Sequence, residues 1–440
     1  MTDAIDAVRG ADSLLTLLDD GDDDFVEWRH LGRRYVVIRN PDDVEHVLFS
    51  GSDRYVKAAH YRLLAAVTGN GRLTSEGDTW AHQRRVIQPL FSRRNLDVLG
   101  AHMVNATDEH LQRWSADDAG RVVDIAEDMT RLTLDVIARA LFGAQVPTAA
   151  ERLRPAVDVG LRTAVIAAQL QMFLSLPRRL IDTMSWLLAR APVLPAPLRG
   201  VQHAMRTIDA VVAEALELRL LTGDERAGDM VGLLVAARYE ENRASEGQIR
   251  DELKTFLLAG HETTANGLAW MWHLLGANPE TRQRLYDEVD ELDDVTADVV
   301  ADLPWTAACF REALRLYPPA WILEREAVAD DVLDGRVIRR GTTVMIPVYA
   351  IHRGRRWDDP LSFKPERFLG LAPKRGTYLP FGAGRRVCIG ATFAALEAAI
   401  ITASIARRFQ LDPIPGFVVE PEATVTLRPR GGLPMRLTAR

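Results

Sequence analysis

Cysteine is scarce in this chain of 440 residues, which contains only Cys309 and Cys388. Two cysteines cannot build the disulfide framework of a small secreted domain, and they favour a reducing, cytoplasmic compartment. A long apolar run is also missing near the start, where MTDAIDAVRGADSLLTLLDD carries early acidic residues and one short apolar patch. It matches neither a signal peptide nor the stretch of about 20 apolar residues that spans a membrane. We therefore expect a protein without a transmembrane anchor.

The charge balance has no basic excess, because 54 Lys and Arg stand against 61 Asp and Glu for a formal net charge of −7. Proteins that bind nucleic acids usually carry a basic surplus, so the balance argues against a nucleic-acid partner. The sequence also lacks internal repeats, low-complexity tracts and a regular alternation of strands and helices. The last absence disfavours a doubly wound parallel sheet.

The patterns that are present are helical from about residue 80 to 320, with strand patterns on either side. FVEWRH and RRYVVIRN predict a hairpin around Leu31-Gly32, and Pro41 opens a short helix. VLDGRVI predicts a second hairpin that turns at Asp334-Gly335, and VTLRPRGGLPMRL predicts a third. The predicted fold class is mainly α with small antiparallel β-sheets.

A long central helix is predicted by a capping box of Ser245 and Gln248 and by apolar periodicity up to Gly276. At ~1.5 Å per residue it would be about 45 Å long. Its middle contains AGHETT, residues 259–264, whose glycine and two threonines weaken the helix by about 1 kcal/mol or more. A weak polar segment inside an apolar helix indicates a functional role.

Cys388 lies where a glycine-rich turn becomes a helix, in LPFGAGRRVCIGATFAALEAAI. The positive end of the helix dipole and the nearby Arg385 and Arg386 are expected to stabilise a thiolate. Three glycines permit the tight turn and a close approach to the helix start: Gly382, Gly384 and Gly390. These residues leave a nucleophile, a redox sensor and a metal ligand open, and a plain buried cysteine would not explain the surrounding pattern.

The segment around Cys388 resembles the haem-binding signature F-x-x-G-x-R-x-C-x-G of the cytochrome P450 family of haem-thiolate monooxygenases. The residues that match it are Phe381, Gly384, Arg386, Cys388 and Gly390. Other segments resemble the family's motifs in the family's order: Trp80 and Arg84 in WAHQRR, residues 259–264, Glu312 and Arg315 in FREALRLYPP, and Arg367 in FKPERF. The resemblance implies the family fold, a triangular α-rich prism with a β lobe, as one catalytic domain over residues 1–440.

The resemblance makes Cys388 the proximal iron ligand of haem b, whose thiolate donation favours O–O cleavage. The haem would lie between the central helix, residues 245–276, and the Cys388 loop. The other cofactor-binding residues it implies are Phe381, Gly382, Gly390 and Ala259 around the ring, and Trp80, Arg84, Arg325 and Arg386 for the two propionates.

Catalytic roles also follow from the resemblance. Thr263, with Glu262 beside it, would deliver protons to the oxygen that is reduced at the iron, and the Thr263 hydroxyl is able to bond back to the Ala259 carbonyl. His261 faces another side of the helix and is expected to be structural. A buried network would fix the chain on the thiolate side without a chemical role; its members are Glu312, Arg315 and Arg367.

The family topology places the substrate pocket among residues 57–73, 160–176, Leu258 and Ala259, Ala320 to Ile322, and the turn near Val425. A lid is predicted at about 160–200, because residues 176–200 are apolar and punctuated by prolines, unlike a flexible linker. The apolar lining favours an apolar small-molecule substrate, and a fatty acid, a terpenoid or a polyketide would fit equally.

Electrons are expected from a separate partner, because no flavin or iron–sulfur domain follows the last predicted hairpin. NAD(P)H would supply them through a ferredoxin or flavodoxin and its reductase, and we expect a monomer. The candidates for a basic docking patch are Arg93, Arg94, Arg355, Arg356 and Arg385.

Single residues argue against two other functions. A dinucleotide-binding G-x-G-x-x-G would need glycine at Val387, and a zinc-hydrolase H-E-x-x-H would need histidine at Ala265. Two alternatives keep the haem and stay open: a peroxide-driven peroxygenase and a non-catalytic haem sensor. Neither of them needs the pair of Glu262 and Thr263.

Overall fold

Most strands precede or follow a helical middle section in the computed structural model of the protein. The structure describes residues 15–16, 18, 23–30, 32–58, 61–114, 120–143, 149–174, 183, 199–222, 228–241 and 245–440. The β-strands are β1 (Phe25–His30), β2 (Arg33–Ile38), β3 (Tyr55–Lys57), β4 (Val122–Asp124), β5 (Leu323–Ala327), β6 (Asp331–Leu333), β7 (Arg336–Ile338), β8 (Thr343–Ile346), β9 (Phe409–Pro413), β10 (Pro421–Ala423), β11 (Leu427–Pro429) and β12 (Pro434–Ala439). The α-helices are α1 (Pro41–Glu45), α2 (Tyr61–Thr68), α3 (Gly77–Ile87), α4 (Arg93–Leu111), α5 (Ile125–Phe142), α6 (Ala149–Leu174), α7 (Arg199–Thr222), α8 (Met230–Glu241), α9 (Glu246–Ala277), α10 (Pro279–Asp290), α11 (Pro304–Leu316), α12 (Val348–Arg353) and α13 (Ala391–Ala406).

The first two predicted hairpins are confirmed. β1 and β2 pair antiparallel over their full length. β6 and β7 also pair antiparallel, and the residues between them, Asp334 and Gly335, have φ angles of 46° and 72°. A tight two-residue turn needs such left-handed backbone, which Asp-Gly adopts readily.

The third predicted hairpin is wrong. β11 pairs with β10, whereas β12 pairs with β9 and β4. Gly431 and Gly432 do form a turn between β11 and β12, with φ angles of 72° and 96°. After the turn, however, β12 buries Met435 and Leu437 in the largest core cluster, together with Leu411 of β9. Burial against distant strands therefore outweighs the local pairing that the glycines favour.

A five-stranded sheet has the strand order β1-β2-β8-β5-β3. Its pairs are antiparallel except for β2 with β8, which run parallel. The apolar face of this sheet buries Val36, Ile38, Val344 and Ile346 in one cluster. The same sheet brings β3 beside β5, which places two distant segments at one end of the cavity described below.

The central helix α9 is mostly buried, most completely over residues 264–276. The predicted capping box is confirmed, since the Ser245 and Gln248 side chains each accept a hydrogen bond from the other residue's backbone N–H. The helix ends at Ala277, one residue later than predicted, and its 32 residues make it about 48 Å long. Leu268, Trp270 and Trp272 are fully buried. An apolar helix of this kind belongs in the interior, and α9 packs against α5, α11 and α13.

Two predictions concern the outside of the molecule. The lid predicted at about 160–200 lies mostly outside the described residues: α6 covers 160–174, and beyond it only residue 183 is described before α7 begins at Arg199. Among the described helices, none is both long enough and apolar enough to cross a membrane.

Candidate active site

An internal cavity of about 500 Å³ lies between α9 and the loop that contains Cys388. This volume is within the usual range of small-molecule pockets. The predicted catalytic and cofactor-binding residues all line it: Trp80, Arg84, Ala259, Glu262, Thr263, Arg325, Phe381, Gly382, Arg386, Cys388 and Gly390. The structure therefore brings together residues that are separated by more than 300 positions in the sequence.

The Cys388 loop is shaped by its own backbone hydrogen bonds. The Cys388 N–H donates to the Phe381 carbonyl at 2.9 Å, and the Gly382 N–H donates to the Leu379 carbonyl at 2.9 Å. Gly384 has a φ of 68°, and a Cβ atom there would lie 1.8 Å from the Leu48 carbonyl oxygen. No other residue type fits this contact, so the loop is held directly against the π-helical turn His46–Ser50.

Cys388 lines the cavity, and its accessible surface is the surface that it presents to this space. Burial raises the pKa of its thiol, while the Gly390 N–H and the cations of Arg72 and Arg84 act in the opposite direction. The expected action of Arg385 and Arg386 on this thiolate is therefore wrong. Arg386 is turned toward Glu76, with which it forms an ion pair.

Cationic side chains gather at one end of the cavity around Trp80. The Arg386 guanidinium lies 4.3 Å from the centre of the Trp80 ring and donates to the Ser75 carbonyl at 3.0 Å. Arg84 donates to the Val387 carbonyl at 3.1 Å, which ties α3 to the Cys388 loop. Arg325, on β5, is buried at this end and lines the cavity.

Three charged residues of this cluster were not assigned an individual role from the sequence: Lys57 and Arg72, which fall in the range 57–73 predicted for the substrate pocket, and Glu76. Lys57 lies opposite Arg325 in the pairing of β3 with β5. Burial, followed by the charges of Arg386 and Arg325, pulls the pKa of Lys57 well below its usual value. Only this long-range strand pairing identifies Lys57, so no local sequence signal could have found it.

Arg72 has a buried guanidinium nitrogen, Nη1, that has no hydrogen-bond partner in the described part of the chain. Burial lowers the pKa of Arg72, and Glu252 raises it. The Arg72 backbone N–H donates to Glu252 Oε1 at 2.8 Å. A buried donor without an acceptor is costly, so this end of the cavity is suited to a ligand that brings negative charge.

Opposite Cys388, the middle of α9 presents the predicted acid and alcohol to the cavity. The Thr263 hydroxyl donates to the Ala259 carbonyl at 2.8 Å, as its position in the helix predicts. Glu262 accepts a hydrogen bond from the Thr426 hydroxyl at 2.9 Å, and burial raises the pKa of its carboxyl. His261 is buried and its Nδ1 contacts the Leu257 carbonyl at 2.8 Å, in agreement with a structural role.

The three residues of the predicted structural network are in contact. Arg315 and Glu312 form a bidentate ion pair at 2.7 and 2.8 Å, with both side chains fully buried. Arg367 Nε lies 3.3 Å from Glu312 Oε1. Arg315 also donates to three backbone carbonyls of the segments that lead toward the Cys388 loop: His352, Pro360 and Ser362.

The five arginines of the predicted docking patch differ in their surroundings. Arg93 and Arg94 are exposed at the start of α4. Arg355 and Arg356 both contact the same carboxylate oxygen of Asp24, at 3.3 and 2.7 Å. Asp24 thus neutralises part of the charge that the sequence assigns to the second pair.

The residues of the cavity fit a haem with a cysteine thiolate ligand. A single thiol faces an apolar cavity, and crowded cations with an unpartnered guanidinium nitrogen mark the end where propionates would bind. A Cβ atom on Gly390 would lie 3.8 Å from Cys388 Sγ, so the glycine leaves space beside the sulfur. No group of three or more His, Cys, Asp or Glu in the described ranges is arranged to hold a metal ion by itself.

Comparisons with known proteins identify one family. The family model described as Cytochrome P450 matches residues 13–432. Cytochrome P450 132 of Mycobacterium tuberculosis is 39% identical over 416 residues, which cover 93% of this chain and 89% of that protein. Cyclooctat-9-en-7-ol 5-monooxygenase of Streptomyces melanosporofaciens is 33% identical over 407 residues, which cover 89% of this chain and 83% of that protein.

The fold is similar to that of a solved structure of the same family. The crystal structure of the cytochrome P450DA heme domain superimposes with a TM-score of 0.81 and 26% identity, covering 98% of this chain and 92% of that chain. The family model covers most of the sequence, and the cavity with its cysteine lies inside the matched range. The chain therefore belongs to the cytochrome P450 family, as one of its haem-thiolate monooxygenases.

Proposed function

We propose that this enzyme inserts one oxygen atom from O2 into an apolar organic molecule, with two electrons from a separate redox partner. The observation that carries the proposal is the shared cavity, which both Cys388 and Thr263 line. The haem, when bound, supplies an iron that activates O2, and the thiolate favours O–O cleavage.

In this proposal Cys388 ligates the iron. Phe381, Gly382 and Gly390 would surround the ring on the thiolate side, and Ala259 would lie on the opposite side. The Trp80 ring packs against the Arg386 guanidinium. The cations proposed to bind the propionates are Arg84, Arg325 and Arg386, joined by Lys57 and Arg72, which line the same end of the cavity.

Thr263 and Glu262 are the proposed proton-handling residues. The Thr263 hydroxyl is held at the helix by the Ala259 carbonyl and faces the cavity. The raised pKa of the Glu262 carboxyl allows it to hold and release a proton nearer to neutral pH than an exposed glutamate does. Glu312, Arg315 and Arg367 are proposed to have a structural role only.

The proposed substrate is an apolar or amphipathic molecule, such as a terpenoid, a fatty acid or a polyketide. Leu258, Trp321, Ile322 and Val425 give the cavity its apolar lining. The relative from Streptomyces melanosporofaciens supports this class, since its name describes an alkenol substrate.

Electrons are proposed to come from NAD(P)H through a ferredoxin or a flavodoxin with its reductase. Exposed arginines, Arg93 and Arg94 among them, would meet an acidic partner. A cytoplasmic location is proposed, because Cys309 and Cys388 are both free thiols. We also propose one catalytic domain, because one core cluster includes residues from Ile87 to Leu437. A monomer is proposed as its oligomeric state.

The ferrous carbon monoxide spectrum tests the proposed iron ligand. Wild-type enzyme is expected to show the red-shifted absorption of a thiolate-ligated haem, and Cys388→Ser is expected to lose it. Cys309→Ala is the matched control, because it removes the other cysteine, which is fully buried in α11. A red-shifted band in Cys388→Ser, or its loss in folded Cys309→Ala, would show that the ligand assignment is wrong.

A further inference from the structure

Glu262 is attached to the wall of the cavity through one hydroxyl group. Thr426 Oγ1 donates to Glu262 Oε1 at 2.9 Å, and Asn266 Nδ2 donates to Thr426 Oγ1 at 3.0 Å. Thr426 and Asn266 are both buried. The Thr426 hydroxyl therefore donates its hydrogen to the Glu262 carboxyl and accepts a hydrogen bond from the Asn266 amide. These two bonds fix the orientation of the hydroxyl.

The turn that carries Thr426 is itself fixed on two sides. Trp321 Nε1 donates to the Thr424 carbonyl at 3.1 Å, and Trp270 Nε1 donates to the Leu427 carbonyl at 3.1 Å. Within the turn, the Thr424 hydroxyl donates to the Thr426 carbonyl at 2.7 Å. Glu262 is thus bonded to a rigid element of the β-rich part and not to a mobile side chain.

The same turn forms part of the cavity surface. Thr424, Val425 and Thr426 all line the cavity, as does Glu262 itself. A molecule seated against Val425 would contact the turn that holds the carboxyl. The structure therefore links the wall that meets the substrate with the acid on α9.

We infer that Thr426 is a positioning residue that holds the Glu262 carboxyl on the turn at the cavity wall, supported by Asn266. The inference rests on the proposed proton-handling role of Glu262. The turn, and not α9 alone, then determines where this acid stands while a substrate occupies the cavity.

The charges around Glu262 set the direction of the expected effect. Burial and the charge of Asp158 raise the pKa of Glu262, and burial is the largest effect. The hydrogen bond from Thr426 and the charge of Arg428 lower it. Removing the Thr426 hydroxyl removes a donor to the charged form, so the carboxyl must hold its proton more tightly. A hydrogen bond to a charged group changes proton affinity by about tenfold or more.

Infrared difference spectroscopy on the holoenzyme measures this directly. The band of the protonated carboxyl is titrated with pH and assigned by its loss in Glu262→Gln. Thr426→Val keeps the side-chain shape and is expected to raise the proton affinity by about tenfold, whereas Thr426→Ser restores the wild-type titration. Thr424→Val is the matched control, because it loosens the same turn without removing the donor to Glu262.

Steady-state turnover gives the second measurement. Thr426→Val is expected to shift the pH profile of coupling, which is product formed per electron pair consumed, in the same direction as the infrared titration. An unmoved titration, an equal shift in Thr424→Val, or unchanged coupling overturns the inference. Unchanged coupling in Glu262→Gln would instead show that the proposed proton-handling role is wrong, so failure of that role is seen separately from failure of the inference.

Discussion

The two threonines at adjacent positions in the middle of α9 differ in what their side chains meet. Thr263 faces the cavity and donates to Ala259, whereas Thr264 is buried and donates to Gly260 at 3.1 Å. Behind Thr264 lies Glu397 of α13, whose carboxyl is fully buried. By hydrogen-bond geometry both Glu397 oxygens lack a partner within the described ranges, since the Thr264 hydroxyl is donated to the helix. Thr264 is nevertheless close enough to this carboxyl to lower its pKa against the larger effect of burial. Both threonines line the cavity, and Thr264 in addition borders the buried Glu397 carboxyl.

Thr263→Ala is expected to uncouple electron consumption from product formation. The change removes the hydroxyl that faces the cavity, and loss of a positioned proton donor lowers the rate of product formation by up to about 10²-fold. The ratio of product to NAD(P)H consumed measures the effect. Thr263→Ser keeps the hydroxyl and should retain most of the coupling; unchanged coupling in Thr263→Ala would instead favour a peroxide-driven route or another proton path.

Glu397→Gln is expected to make stability less dependent on pH. Burial raises the pKa of Glu397 to about 8 from an ordinary value of 4.5. Between these values the folded protein keeps a proton that the unfolded chain releases, so the free energy of unfolding falls as pH rises, by at most about 1.4 kcal/mol per pH unit. The glutamine variant has no carboxyl at this position, so its free energy of unfolding does not fall with pH for this reason. Its melting temperature relative to wild type should therefore increase from pH 5 to pH 8, and a constant difference would contradict the prediction.

The elements that could be predicted from the sequence are those fixed by neighbouring residues. The capping box of α9 and the Asp-Gly turn between β6 and β7 depend on a few adjacent positions, and both predictions are confirmed. The predicted hairpin of β11 with β12 is wrong because distant strands, β9 and β4, bury β12 better. Elements whose partners are far along the chain cannot be assigned from local pattern.

The residues of the site also divide into those identified by local spacing and those brought together by long-range packing. The motif residues that line the cavity were found because their spacing is local, as in the Cys388 loop. The individual roles of Lys57 and Arg72 were missed because only the pairing of β3 with β5 and the packing of the 69–76 loop bring them to the cavity. Glu76 was missed because only its ion pair with Arg386 connects it to the site. The action of Arg72 and Arg84 on the Cys388 thiol, in place of Arg385 and Arg386, also depends on packing.

Breaking the buried ion pair of α11 is expected to destabilise the fold and to lower haem incorporation. Glu312→Gln would leave the fully buried Arg315 without its carboxylate, and an uncompensated buried charge costs about 3–5 kcal/mol. Denaturant unfolding measures the stability, and the ratio of haem absorbance to protein absorbance measures incorporation. The variant that does fold should keep the wild-type carbon monoxide band, because the network does not touch the cavity.

A matched control for this prediction lies in the same region. Glu366 and Arg284 are 3.9 Å apart, with side chains that are 60% and 54% exposed. Exposed pairs contribute about 0–1 kcal/mol, so Glu366→Gln should change stability little. Equal losses in Glu312→Gln and Glu366→Gln would contradict a special role for the buried network.

At the scale of the whole molecule, the acidic total does not describe the surface that a redox partner would meet. The net charge is −7, yet arginines are concentrated at particular places, such as Arg93-Arg94 and Arg355-Arg356. The two pairs differ in their surroundings, because Arg355 and Arg356 both contact the Asp24 carboxylate. At physiological ionic strength charges act over about 8 Å, so local balance matters more than the total.

Reversing the charge of Arg93 and Arg94 is therefore expected to slow reduction by an acidic ferredoxin more than reversing Arg355 and Arg356. The double variant Arg93→Glu/Arg94→Glu should lower the second-order rate of reduction by about tenfold at low salt, since electrostatic steering contributes about 10- to 10³-fold to association. Arg355→Glu/Arg356→Glu should have a smaller effect, because Asp24 already offsets part of that charge. Stopped-flow measurement of reduction in the presence of carbon monoxide, followed as formation of the ferrous carbon monoxide complex over a range of salt concentrations, compares both variants. If the wild-type rate does not vary with salt, or if both variants slow reduction equally, these arginines do not form the docking patch.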